Sequence, residues 1–146
     1  MQIEIKLDST CAETKIIVVT GKMTEEVQQL VKRLSEETPS LLAGVREESI
    51  CLLEQPQIIR IYAAAGKVFA VTEDGEYTLR LRLYELEERL VKNSFVRISN
   101  SEIINLKKVK GFDLRLVGTI CVTLSNGTVT YVSRRYVAKI RKILGI

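Results

Sequence analysis

The sequence contains no histidine. Its absence removes Ser-His and Cys-His nucleophile pairs, histidine metal sites and the commonest general base. The three cysteines, Cys11, Cys51 and Cys121, are odd in number, far apart and never arranged as CxxC. Neither a disulfide framework nor a zinc site is expected from them; reduced, mostly buried thiols are, which suits the cytoplasm. There is no GxxxxGK[ST] or GxGxxG loop to cradle phosphates. Carboxylates gather in "SEET", "REES" and "EERL", but nothing in their spacing sets two of them across a cleft as a glycosidase requires, so they read as solvated surface. The longest purely aliphatic run is "IIVV" at Ile16–Val19, far below the roughly 20 residues that span a bilayer. The opening "MQIEIKLD" alternates polar and apolar like a strand and lacks the apolar block of a secretory signal. The expectation is a cytoplasmic chain that is not an enzyme and holds no metal and no cofactor.

What is present is a globular composition. With 146 residues, 46% hydrophobic and 27% charged, the chain can form one ordinary domain with a modest extension. The net charge of +4 hides a strong asymmetry. Residues 1–49 carry 6 basic and 9 acidic side chains, residues 50–91 carry 5 and 7, and residues 92–146 carry 11 and 2. A solubilising surface normally mixes both signs, so a tail at +9 suggests a polyanionic partner.

Hydrophobic patterning divides the chain in two. Ile3–Leu7 and Lys15–Thr20 each suit a strand. Thr24 should cap a helix with Glu25 and Glu26 in its first turn and Val27, Leu30, Val31 and Leu34 as its apolar stripe, stopped at Pro39. This strand–strand–helix unit, residues 1–43, is acidic and a candidate dimerisation or regulatory unit. Residues 44–146 are mainly β. "ICLLE" and "IIRIYAAAG" are strand-like. "KVFAVTEDGEYTLRLRL" reads as a hairpin turning at Asp74-Gly75, and "TICVTLSNGTVTYVS" as one turning at Asn126-Gly127. A short helix is expected at Tyr84–Lys92, a strand through Ile103–Val109, and a closing helix behind Ser133. No helix-turn-helix pair is evident.

That closing helix breaks a local rule. Arg134 and Arg135 occupy its first turn, where the helix dipole is already positive and each cation costs roughly 0.3 kcal/mol or more. Free backbone N–H groups plus two guanidinium forks make a phosphate site, and an arginine fork also matches O6 and N7 of guanine. A salt bridge or a solvated turn is the plainer alternative. Asn100, between Ser99 and Ser101, presents an amide that fits adenine N6 and N7, or that simply makes a turn. Lys107, Lys108 and Lys110 flank a strand, and Lys139, Arg141 and Lys142 decorate the last helix.

Taken as a spaced set, "FVRISNSEIINLKKVKGF" followed by "VTLSNGTVTYVSRRYVAKIRKIL" resembles the LytTR DNA-binding domain of bacterial transcription regulators. Phe95, Arg97, Ser101, Asn105, Gly127, Ser133, Arg134, Arg135 and Tyr136 carry the likeness, which covers about Ile50–Ile146. The resemblance implies an α+β, mainly β fold: an elongated domain of antiparallel sheets with short helices, whose loops reach into successive major grooves of bent DNA. It implies base contacts at Asn100 and Arg135. A third falls near Gly66 and Lys67, where the family has a larger polar side chain than Gly66, so Lys67 takes the role. Arg134, Lys107 and Lys108 would position the backbone, and Ser99, Ser101 and Ser133 complete the expected DNA-binding set. A receiver domain, present in the family's response regulators, finds no room here; the chain is similar instead to small stand-alone LytTR regulators. The implied partners are double-stranded DNA carrying promoter repeats, a second copy as a homodimer, and an inhibitory membrane protein encoded nearby; RNA polymerase is a further candidate. The alternative is a basic module that docks an acidic protein or an anionic membrane.

Overall fold

The computed structural model describes residues 1–35 and 41–146 and divides the chain into two compact units, Met1–Pro39 and Ser40–Ile146. The breaker at Pro39 lies outside the described residues.

In the first unit, helix α1 spans Glu25–Ser35. Thr24 caps it as its side chain dictates: the hydroxyl accepts from the Val27 N–H at 3.3 Å, and the Thr24 carbonyl accepts from Gln28 N–H at 2.9 Å. Glu25 and Glu26 lie at its positive end, Lys32 and Arg33 at its negative end. The two expected strands are not formed. Ile3–Leu7 and Lys15–Thr20 have strand-like alternation, yet neither pairs as a strand among the described residues. A strand needs a neighbour for its N–H and C=O groups and an apolar surface to cover, and an isolated pair is marginal in water. Their apolar side chains stay exposed, Leu7 and Val19 above 90%.

The second unit is antiparallel throughout. Its described residues form ten strands: β1 Leu41–Arg46, β2 Ser49–Glu54, β3 Arg60–Ala64, β4 Lys67–Thr72, β5 Gly75–Leu79, β6 Phe95–Ser99, β7 Glu102–Asn105, β8 Val109–Asp113, β9 Ile120–Leu124 and β10 Val129–Val132. Helix α2, Leu83–Arg89, joins β5 to β6, and helix α3, Arg134–Leu144, ends the chain. The first seven strands make one sheet in the order β2-β1-β5-β4-β3-β7-β6; the last three make a second, β10-β9-β8. Leu41–Arg46 pairs along its whole length with β2, so these residues belong to the second unit and the division falls at 39/40 rather than 43/44.

Two cores result, on opposite faces of the β3–β7–β6 end. One gathers Ile58, Ile61, Ile103 and Phe95 with Leu83, Leu86 and Leu90 around α2. The other gathers Ile59, Ile104, Val96 and Ile98 with the small sheet and with Ile140 of α3. Adjacent pairs such as Ile58-Ile59 and Ile103-Ile104 are therefore buried on both sides, as a doubly covered sheet demands.

Two connections differ from the sequence reading, and a third, between β1 and β2, has no counterpart in it. The β4–β5 turn is Glu73-Asp74, not Asp74-Gly75: Thr72 pairs with Gly75, which takes φ 132° as the first residue of β5. The β1–β2 turn is Glu47-Glu48, both with positive φ (50° and 65°). The run Ile103–Val109 is not one strand. It is two, in different sheets, joined by a 3₁₀ elbow at Leu106–Lys108. Asn105 makes the elbow: it is 1% exposed, its Nδ2 donates to the Ile58 carbonyl at 2.8 Å, and its Oδ1 accepts from the Lys107 N–H at 3.0 Å.

Candidate nucleic-acid interface

Asn100 and Ser101 form the two-residue tip between β6 and β7, because Ser99 pairs with Glu102. The turn-making bond comes from Ser99, whose Oγ accepts from the Ser101 N–H at 3.2 Å; the two serine hydroxyls lie 3.3 Å apart. The Asn100 amide is thus free of the local backbone and exposed. Beneath it, the half-buried Arg97 donates to the Ser99 carbonyl at 3.0 Å and to the Asn100 carbonyl at 2.6 Å, and pairs with Glu87 of α2 at 3.1 Å. The Ala63 N–H donates to the Ser101 carbonyl at 2.8 Å, which ties the tip to the end of β3.

That tie brings the β3–β4 turn, Ala65-Gly66, beside Asn100. A shallow groove of about 380 Å³ is lined by Gly66, Lys67, Arg82, Tyr84, Arg97 and Asn100. Lys67, the first residue of β4, is exposed there. Arg82 and Tyr84 escaped the sequence reading, because a cation and a tyrosine at the start of an amphipathic helix carry no distinguishing pattern.

The start of α3 reaches the same tip. The Ser133 N–H donates to the Ile98 carbonyl at 2.9 Å, and the Tyr136 hydroxyl donates to Asn100 Oδ1 at 3.4 Å. Arg134 and Arg135 sit in the first turn, both exposed. Ser133 holds the N-cap position with extended φ and ψ, but its hydroxyl makes no capping bond, contrary to expectation. The Ser133 hydroxyl is thus left without a capping role, while the Tyr136 N–H donates to the Ser133 carbonyl at 2.9 Å; the positive start of a helix favours an anion. Arg134 lies along the β8–β9 loop: a Cβ on Gly118, which holds φ +79°, would stand 3.4 Å from its Nε.

Lys107 and Lys108 are elsewhere. Both lie on the elbow at the far end of β7, about 13 Å of strand from the Asn100 tip. There the Lys108 carbonyl accepts from the Ser125 N–H of the β9–β10 loop at 2.7 Å. Lys107 is exposed and Lys108 half-buried.

The charge of this region is not cancelled internally. Among the described residues no carboxylate pairs with Lys67, Lys107, Lys108, Arg134 or Arg135. The two acids of residues 92–146 are already engaged. Arg115 beside Asp113, at 2.7 Å, holds that carboxyl down to about 2. Glu102 is buried, 3.0 Å from Arg60 Nε, and accepts from the Thr130 hydroxyl at 2.7 Å, which links the two sheets.

Residues 48–145 match the family model of the LytTr DNA-binding domain. The chain belongs to that family. It is 31% identical to two uncharacterized HTH-type transcriptional regulators of Staphylococcus aureus, from strains NCTC 8325 and COL, over all of this chain and 99% of each relative. Its fold matches a solved LytTr DNA-binding domain from Bacillus cereus with a TM-score of 0.71 and 25% identity, over 73% of this chain and 98% of that one. The LytTr domain here is α+β and mostly antiparallel sheet, and no two of its helices follow one another without intervening strands. Of the positions that the LytTr likeness singled out, Asn100, Ser99, Ser101, Lys67, Ser133, Arg134 and Arg135 come together at one end of the domain, while Lys107 and Lys108 stand apart from them.

Proposed function

We propose that this protein is a sequence-specific, double-stranded-DNA-binding transcriptional regulator. Asn100 and Arg135 enter the major groove and read base edges, with Lys67 at their flank. Arg134, Ser133, Ser99 and Ser101 meet the adjacent phosphates, and Lys107 and Lys108 meet the backbone farther along the duplex. The observation that carries this reading is the convergence of three chain segments on the Asn100 tip. Exposed, unpaired cations surround an amide that its own turn does not use. An anion there also accounts for Arg134 and Arg135 at a positive helix end: counterions released from DNA outweigh the unfavourable dipole.

The same reading makes the protein a homodimer on repeated elements, with the first unit as the contact between copies. Ile3, Ile5, Leu7 and Val19 are too exposed for an isolated chain to leave uncovered.

Selection of binding sites from a random duplex pool, followed by fluorescence anisotropy at several salt concentrations, tests the reading. The expected result is enrichment of a repeated element bound at least about a thousandfold better than random duplex. Equal binding to all duplexes, or preferential binding to anionic vesicles or acidic protein, would refute it.

A further inference from the structure

Arg97 lines the groove beside Asn100 and looks like one more phosphate contact. Its bonds say otherwise. The guanidinium is a rigid planar fork whose donors cannot be aimed separately. Here Nε reaches the Ser99 carbonyl, Nη2 the Asn100 carbonyl and Nη1 the Glu87 carboxylate. Ser99 C=O belongs to the peptide plane before the Asn100 Cα, and Asn100 C=O to the plane after it. With both planes held by one rigid group, φ and ψ of Asn100 are set, and so is the direction in which its side chain leaves the backbone. Glu87 supplies the third point. It sits on α2, which is packed into the core through Leu83 and Leu86 and is followed there by Leu90, so the fork is referenced to a fixed element rather than to the loop itself. Glu87 also neutralises the charge, and the Arg97 side chain is only 16% exposed.

We infer that Arg97 is a positioning residue for base recognition: anchored by Glu87, it fixes the exit direction of the Asn100 side chain and does not itself bind phosphate. The inference rests on Asn100 being a base reader. A two-residue tip left free would sample several orientations, and a misdirected amide forms its paired bonds only part of the time.

The test uses the 146-residue chain, the selected duplex, and the same duplex changed at the base pair whose preference Asn100→Ala abolishes. Arg97→Lys keeps the charge and loses the fork; Arg97→Gln loses both. The expected result is that both variants reduce preference for the correct base pair by roughly tenfold, within the value of one bidentate contact. Affinity for random duplex and the slope of log affinity against log salt stay at wild-type values. In an Asn100→Ala background neither change has further effect. If instead Lys substitutes fully while Gln weakens binding to every duplex and lowers the salt slope by about 0.9, Arg97 is a phosphate contact and the inference is wrong. Should both Arg97 variants keep full preference while Asn100→Ala loses it, the inference fails and the reading of Asn100 stands. Preference intact in Asn100→Ala overturns the reading of Asn100 itself. Glu87→Ala, which leaves the guanidinium in place and removes its anchor, covers the case in which Arg97 variants do not fold. It too must lower base preference without moving the salt slope.

Discussion

The Tyr136 hydroxyl donates to Asn100 Oδ1 at 3.4 Å, joining the start of α3 to the β6–β7 tip across 36 residues of sequence. An asparagine amide has two chemically opposite ends, and a donor held against the oxygen fixes which is which. With Oδ1 accepting from Tyr136, Nδ2 has no partner among the described residues and remains available as a donor. Groove acceptors such as purine N7 then meet a defined partner. Tyr136→Phe removes only the hydroxyl. It should lower preference at the base pair read by Asn100 by a few-fold and leave the melting temperature within a degree or two, as for a long, half-exposed bond. Competition anisotropy with duplexes changed at that base pair measures it; an unaltered preference would show that the contact does no orienting.

Arg135 should show a trade between stability and function. Its guanidinium sits at the positive end of α3 with no described carboxylate beside it. Arg135→Ala relieves a dipole cost of about 0.3–1 kcal/mol in the free protein. It removes roughly 1–3 kcal/mol of discrimination at one base pair in the complex. Urea denaturation of the free protein should give unchanged or slightly higher stability, while selected-site binding becomes tolerant at that position. A variant that melts lower and binds less to every sequence would mean that Arg135 is structural.

Much of this architecture was written locally in the chain. Thr24 with Glu25 and Glu26 specified α1, and "SNG" specified the β9–β10 turn, where Gly127 has φ 86°. What escaped was decided by distant partners. The pattern of Ile103–Val109 suits one strand; the elbow exists because Asn105 bonds to the Ile58 carbonyl, 47 residues away. Glu47 and Glu48 carry no turn signal, and their left-handed backbone is imposed by the six-residue register of β1 on β2. Ile3–Leu7 and Lys15–Thr20 have the alternation of strands but no strand partner among the described residues. The interface was legible as residue types and not as geometry. Lys107 lies seven positions after Asn100 in sequence yet at the other end of β7 in space, whereas Tyr136 is distant in sequence and in contact.

That separation makes the lysines of the elbow distinguishable from the tip by salt. In the proposed reading Lys107 and Lys108 touch the sugar–phosphate backbone, away from the bases assigned there to Asn100 and Arg135. Replacing Lys107 with alanine should reduce the slope of log affinity against log salt by about 0.9 and weaken specific and random duplexes alike. Anisotropy titrations at four or more salt concentrations decide it; a loss confined to the selected site would move Lys107 into the base-reading set.

Asn105 is the structural counterpart. Its buried amide satisfies the Ile58 carbonyl and the Lys107 N–H at once. Asn105→Ala leaves both without a partner and opens a small void, at a cost of about 2–4 kcal/mol. Chemical denaturation should show the lower midpoint. At temperatures where the variant remains folded, the elbow lysines should lose their contribution to the salt slope while base preference at the Asn100 position persists. Equal damage to both would indicate that the domain yields as a whole rather than at its hinge.

The first unit supplies the last test. In the single chain, Ile3, Ile5 and Leu7 alternate along an unpaired extended segment, with more than 80% of each exposed. Alternation without a covered face is the pattern of a strand awaiting an edge, and a second copy offers the same segment as that edge. Two charges on this face would be buried without partners in a paired assembly and harmless in a free chain. Ile5→Asp combined with Leu7→Asp should therefore convert a dimer to a monomer in sedimentation velocity. Affinity for a single element should stay within a few-fold of wild type, and the gain from a second, correctly spaced element should be lost, since that gain is the effective concentration of the tethered partner. A wild-type chain that sediments as a monomer at micromolar concentration, or a variant that remains dimeric, would place the contact between copies elsewhere.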